Sequence, residues 1–354
     1  MREYCFIKKW EKLLTPTTVS LLTAIHEFKG EHSFFLEAHA DELIGLTEIA
    51  KLQSVESSNK MEGIFIPNDR LKKLAQDKTL PQNHNEQKIA GYRDVLNIIN
   101  DNYDYIFVKS ELIQQFHKDL YRYQGRNIGV RYKNAGNIIS SVDIMRNKNI
   151  SFNFVPSQEI SESIAALCNA YNEALKDEKI DLLIVIPMFI LDFLCICPFT
   201  DGNGRISRLL TLLLLYKAGY IVGKYISIEK LIETTKDAYY EAILASSQNW
   251  NENENDYAPF VNYTLEIIAA AYKQFSANVR LFTKTGLTKG NRIEEIIKAA
   301  AGTITKSDIV KKCPDISQIT VQRTLIDLQN AGKIKKISGG RYTKYIWKLE
   351  SEDN

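Results

Sequence analysis

At 354 residues the chain is long enough for two or three domains with ample core. Its 45 Lys/Arg against 43 Asp/Glu and its 45% apolar content are those of a folded globular protein, which excludes disordered and fibrous classes. Five scattered cysteines (Cys5, Cys168, Cys195, Cys197 and Cys313) exclude a regular disulfide framework and point to reduced thiols in a cytoplasmic setting.

The N-terminal MREYCFIKKWEKLL lacks the apolar core and cleavage site of a signal peptide. DELIGLTEIAKLQSVES then places Leu43, Leu46, Ile49 or Ala50, and Leu52 at helical spacing, and SSNKMEG (Ser57 to Gly63) follows. Glu111 to Tyr123 predicts a second helix with Leu112, Phe116 and Leu120 on its apolar stripe. His117 lies beside that stripe, as a packing or hydrogen-bonded residue. Between Ile139 and Val155 the pattern turns to β-favouring alternation broken by polar turns, and Pro156 closes it.

Leu182 to Ile196 is almost wholly apolar, but Pro187 and Asp192 interrupt it, so it predicts a buried helix and no membrane span. CPFTDGNGRISR (Cys197 to Arg208) follows, and Leu209 to Tyr216 is again strongly apolar. A polar loop opening onto a buried helix is a seat for an anion, because unpaired amides and the helix dipole point out of it. Gly202 and Gly204 allow close approach of a ligand to the backbone. Arg205 and Arg208 share one helical face and offer planar forks for phosphate oxygens. Asp201 suits Mg²⁺, which takes a carboxylate together with phosphate oxygens. These residue types together point to a nucleotide polyphosphate.

The run Cys197 to Arg208 resembles the signature of Fic-domain proteins, His-x-Phe-x-(Asp/Glu)-Gly-Asn-Gly-Arg-x-x-Arg, at every fixed position except the first. The resemblance implies transfer of AMP from ATP to a protein hydroxyl on Ser, Thr or Tyr. It implies that Asp201 holds Mg²⁺ and that Phe199 anchors the loop. Asn203 with the amides of Gly202, Gly204, Ile206 and Ser207 would then hold the α- and β-phosphates. Arg205 would neutralise charge during transfer, and Arg208 would hold the γ-phosphate. Cys197 stands where the family has the histidine that takes the proton. Imidazole is a good base near neutrality, whereas a thiol with a pKa of about 8.5 is mostly protonated there. Three readings stay open: a pseudoenzyme that still binds nucleotide, an introduced substitution, and an active cysteine variant.

SSNKMEG resembles the family's inhibitory motif, (Ser/Thr)-x-x-x-Glu-(Gly/Asn), with Ser58 and Glu62 at its fixed positions. The resemblance implies that Glu62 pairs with Arg208 in the γ-phosphate's place; in some relatives the same glutamate serves AMP removal. The β-patterned stretch resembles the family's target-docking flap. In DAYYEAILASS, Tyr239 would line the adenine pocket, and Ser247 stands where relatives often have asparagine.

Beyond the long helical pattern of residues 260–282, Thr283 to Asn291 reads as a linker. RIEEIIKAAAG, ITKSDIVKKCPD and ISQITVQRTLIDLQNAGKI predict three helices, and KKISGGRYTKYIWKL predicts a hairpin. The order resembles a winged helix-turn-helix. Lys289 to Lys348 holds thirteen Lys/Arg against five Asp/Glu, a footprint suited to duplex DNA. Gln318, Thr320, Gln322 and Arg323 would approach bases or phosphates, and Lys335, Lys336, Arg341 and Lys344 phosphates. The alternative use of such a domain is docking or homodimer formation.

The expected architecture is therefore mainly α. It comprises an N-terminal helical region (1–100), a Fic-type core with a β-hairpin flap (101–282), a linker (283–291) and a winged helix (292–354). The expected activity is protein adenylylation restrained by Glu62, and the rival is a DNA-binding regulator whose Fic fold only senses nucleotide.

Overall fold

The computed structural model describes residues 2–38, 40–125, 132–133, 155–283, 289–300, 302–313, 316–337 and 343–348. The expected flap, apart from Val155, lies outside the described residues, as do Arg341 and the glycines at 339 and 340. Two compact units divide the chain: Met1–Glu31 with Ala50–Tyr272, and His32–Ile49 with Lys273–Asn354. Among the described residues no helix is long and apolar enough to cross a membrane.

The larger unit is helical; of the helices named next, the stretches within residues 32–49 and 273–283 belong to the smaller unit. Helix α1 is Pro16–Ala38, α2 Ala40–Met61, α3 Asn68–Ala75, α4 His84–Asn102 and α5 Ser110–Leu120. Then come α6 Ile160–Ala174, α7 Leu182–Ile196, α8 Asn203–Lys217, α9 Ile228–Thr234, α10 Lys236–Ser247 and α11 Ala258–Thr283. Helices α7 and α8 form its centre, packed on one another and buried on nearly every side. That is why α7 and the later part of α8, Leu209 to Tyr216, are so strongly apolar. Asp181 caps α7 by accepting the Leu183 N–H at 2.9 Å. Pro187 sits inside α7 and removes one of its backbone donors.

On α5 the buried apolar positions are Ile113, Phe116 and Leu120, whereas the expected Leu112 is only half-buried. Positions 112 and 113 both fit a 3.6-residue period, and the packing partners choose between them. On α2 the same choice buries Ala50 over Ile49, and Val55 is fully buried while Leu52 is half-buried.

The smaller unit centres on α12 Lys289–Lys298, α13 Lys306–Lys312 and α14 Gln318–Asn330 with three short strands: β1 Ile304–Thr305, β2 Ile334–Lys336 and β3 Lys344–Trp347. The sheet order is β1-β3-β2, antiparallel throughout, with Ile304 opposite Tyr345 and Ile334 opposite Trp347. Residues 304 and 305, expected to open a helix, instead pair with β3. The helix begins after Thr305, which caps it in a reciprocal box with Asp308. Ile293, Ile297, Ile309, Val321, Leu325 and Ile334 are central to the unit's core.

Candidate functional site: the loop between α7 and α8

Helix α7 ends where Cys197 takes a left-handed conformation, φ 50° and ψ 62°, with its N–H donating to Phe193 O at 3.0 Å. Such a conformation costs a non-glycine residue about 1–2 kcal/mol, and strain of this kind collects at functional sites. The Cys197 side chain is buried, at 2% exposure.

Phe199 and Asn203 fix the loop that follows. The Asn203 side chain bridges both backbone groups of Phe199: Oδ1 accepts from its N–H at 3.0 Å and Nδ2 donates to its carbonyl at 2.7 Å. The side-chain amide thus braces the loop. The Phe199 ring lies flat on His117, with centroids 3.7 Å apart, and His117 Nε2 lies 2.9 Å from the Asp201 carbonyl, to which it donates. Folding brings this histidine of α5 to the loop from 84 residues away.

Gly202, at φ 90°, turns the chain into α8, where a β-carbon would press on Leu120 and Tyr121. The first intrahelical bond runs from Ile206 N–H to Gly202 O at 2.9 Å, so the amides of residues 203–205 lack intrahelical acceptors. The expected contributions of Ile206 and Ser207 are taken up inside the helix, the Ser207 hydroxyl donating to Gly204 O at 2.8 Å.

Arg205 is fully buried, at 0% exposure. It donates from one terminal nitrogen to Tyr121 Oη at 2.7 Å and lies 3.5 Å from Asp201 Oδ2. Its Nε and other terminal nitrogen have no hydrogen-bond partner among the described residues. Buried donors rarely go unpaired, and these two await an acceptor.

Arg208, at 3% exposure, is gripped by the end of α2. It donates from Nε to Ser58 Oγ at 2.8 Å, and from a terminal nitrogen to Ser58 O at 2.9 Å and Glu62 Oε1 at 2.7 Å. Burial works against the charged guanidinium, but the Glu62 carboxylate outweighs it and Arg208 is held more firmly protonated than usual. Glu62 Oε1 lies so close to Gly204 that a β-carbon there would collide with it. The carboxylate therefore occupies the anion seat at the N-terminus of α8.

Asp201 binds its own loop. Oδ1 accepts the Gly202 N–H at 2.7 Å, and Oδ2 faces Lys88 Nζ at 3.0 Å and Arg205 at 3.5 Å. Burial raises its pKa, yet the Arg205 charge, the Tyr121 hydroxyl and Lys88 outweigh that and hold it down to about 2. The donor set does not fit a resident Mg²⁺: both oxygens are engaged and two cations stand against them. Among the described residues no group of three or more His, Cys, Asp or Glu could hold a metal ion.

Tyr239 is buried, in ring contact with Tyr240, Phe260 and Tyr263. It borders, with Arg208, Ile190 and Ile232, a small cavity. The Ser247 hydroxyl donates to Leu244 O of its own helix at 3.1 Å.

Residues 107–215 match the model of the Fic/DOC family. The chain contains a Fic domain. A Fic family protein from Desulfovibrio desulfuricans G20 has a similar structure at 18% identity, with a TM-score of 0.59 over 96% of this chain and 98% of that one. A Fic domain containing signaling protein from Bacteroides thetaiotaomicron VPI-5482 is similar at 17% identity and a TM-score of 0.59, over 71% of this chain and 95% of that one. Fic-1 from C. elegans is similar at 18% identity and a TM-score of 0.53, over 75% and 74%. Among curated proteins none matches. At these identities the similarity is one of fold.

Sequence reasoning missed Lys88 and Tyr121 around the Fic loop. Tyr121 stood in a helix-like stretch where an aromatic reads as packing. Nothing local marked Lys88, whose partner is 113 residues away.

Proposed function

We propose that the Fic domain binds ATP against the N-terminus of α8 and transfers AMP to a protein Ser, Thr or Tyr hydroxyl, its own included, under restraint by Glu62. The observation that carries this reading is the Glu62–Arg208 pair at 2.7 Å, seated on Gly204. A carboxylate held against an arginine and a helix N-terminus marks where a phosphate would bind and competes with it. The two unpaired nitrogens of Arg205 give the phosphate chain a second fork.

In the transfer the hydroxyl oxygen bonds to the α-phosphorus, the bond to the β-phosphate oxygen breaks, and pyrophosphate leaves. The hydroxyl proton goes to Cys197, which must be ionised to accept it. Losing a well-matched base typically lowers the rate by about 10²–10⁴-fold, so Cys197→His should be the faster enzyme. Intact-protein mass spectrometry after incubation with ATP tests this. Glu62→Gly should gain at most a trace of AMP adduct, and Glu62→Gly/Cys197→His a large fraction. Absence of adduct from the double variant, on itself and on proteins of a cell lysate, would overturn the transferase reading.

A second reading concerns the smaller unit. Arg323, Lys335, Lys336 and Lys344 are all exposed, which favours contact with duplex DNA through phosphates. Ile319, at 68% exposure, and Ile326 lie on the same exposed side of α14 as Arg323, and they favour a second copy of the chain instead. DNA binding predicts affinity that falls steeply with salt and drops uniformly on charge reversal at Lys335 and Lys336. A salt-insensitive dimer that Ile319→Lys dissociates, with no retention of duplex DNA, would end the regulator reading.

A further inference from the structure

Lys88 is the cation the Fic loop keeps for itself. It projects from the first turns of α4, whose N-terminus is fixed twice. Asn83 accepts the Glu86 N–H at 3.0 Å, and Glu86 accepts from Arg70 Nε at 2.9 Å. Its ammonium lies 3.0 Å from Asp201 Oδ2, at 17% side-chain exposure. Asp201 keeps 42% of its side chain exposed, so the pair adds little to stability, and its position, more than its strength, is informative.

That position is where a divalent ion would have to sit to use Asp201. Oδ1 is taken by the loop's own Gly202 amide, and Oδ2 by Lys88 and, at longer range, Arg205. With Glu62 displaced, the loop holds three cations (Lys88, Arg205 and Arg208) against a single carboxylate, Asp201. A compact ammonium with three rotatable donors is well suited to phosphate oxygens as a point charge. It also repels a metal ion from the same carboxylate.

We propose that Lys88 supplies the counter-charge that Mg²⁺ would otherwise bring, so that the Fic site takes a nucleotide polyphosphate as the free, metal-less anion. The proposal rests on the nucleotide reading above and adds a selectivity to it. It assigns Lys88 a binding role that needs no turnover, whatever the competence of Cys197.

Calorimetric titration of ATP into the Glu62→Gly chain, in EDTA and in magnesium, tests it. Affinity in EDTA should stay within about threefold of that in magnesium, and Lys88→Ala on the same background should lose about tenfold or more in EDTA. Magnesium should restore most of that loss, because removing the ammonium frees Asp201 for the ion. Lys88→Arg should bind in EDTA nearly as the parent does, and unchanged circular dichroism should accompany all three. A parent whose affinity collapses in EDTA, or a Lys88→Ala variant that binds equally well there, would overturn the role of Lys88 while leaving nucleotide binding standing. No binding by Glu62→Gly in either buffer would instead remove the nucleotide reading, and this proposal with it.

Discussion

Helix α7 ends at one buried charged cluster and carries another five residues earlier, and the two are built on opposite principles. Asp192 is fully buried and saturated: Trp250 Nε1 donates to it at 2.6 Å and Tyr257 Oη at 2.9 Å, with Arg2 3.4 Å away. Arg2 in turn donates to Asn255 Oδ1 at 2.7 Å and to the Trp250 carbonyl. Arg205 is equally buried and undersupplied, with one hydroxyl and one distant carboxylate for its whole guanidinium. Burial alone does not set the two apart. Among the described residues Arg2 keeps one nitrogen, Nε, without a partner and Arg205 keeps two, so the difference lies in how fully the protein supplies partners.

Asp192→Ala should be the most disruptive change to this contrast. It strands Arg2, the Trp250 indole and the Tyr257 hydroxyl together, and breaking such a buried pair costs about 3–5 kcal/mol. Chemical denaturation should read that loss. Arg205→Ala should behave differently, because deleting a guanidinium with two unpaired nitrogens also removes its desolvation cost. Its stability change should stay within about 1–2 kcal/mol. On the Glu62→Gly background, ATP affinity should nevertheless fall about tenfold or more. If Arg205→Ala unfolds the chain as readily as Asp192→Ala does, the two clusters are alike and the contrast fails.

Smaller effects sharpen it. Asn203→Ala removes both amide bonds across Phe199 and should cost about 1–3 kcal/mol, loosening the loop without changing its charge. Cys197→Ala should alter ATP affinity by no more than about twofold, since backbone amides and arginines do the binding. A large loss there would assign the thiol a direct contact with nucleotide.

The sequence made the scaffold legible because its signals are local. The apolar run Leu182 to Ile196 and the glycines at 202 and 204 predict a buried helix, a turn and an anion seat with no knowledge of the rest. Glu62 was legible through a motif alone, since neither composition nor periodicity relates it to Arg208 across 146 residues. Lys88 and Tyr121 escaped because an isolated lysine or tyrosine carries no mark of a partner that only tertiary packing supplies, whereas the packing and hydrogen-bonding role of His117 was legible. Asn203 was legible only in part: its side chain suits a phosphate oxygen and a backbone bridge equally well, and the bridge to Phe199 had no signal in the sequence.

On the proposed function, Gly204 ties the restraining Glu62 to the nucleotide seat that it would close. The missing side chain that admits the Glu62 carboxylate is the same one whose absence would admit a phosphate. In a saturation mutagenesis experiment the two requirements cannot be separated at this position. Alanine or anything larger should expel the glutamate and exclude the nucleotide in one step, giving a released but ligand-blind protein. Variation at residue 62 should tune the response continuously, whereas variation at residue 204 should only abolish it.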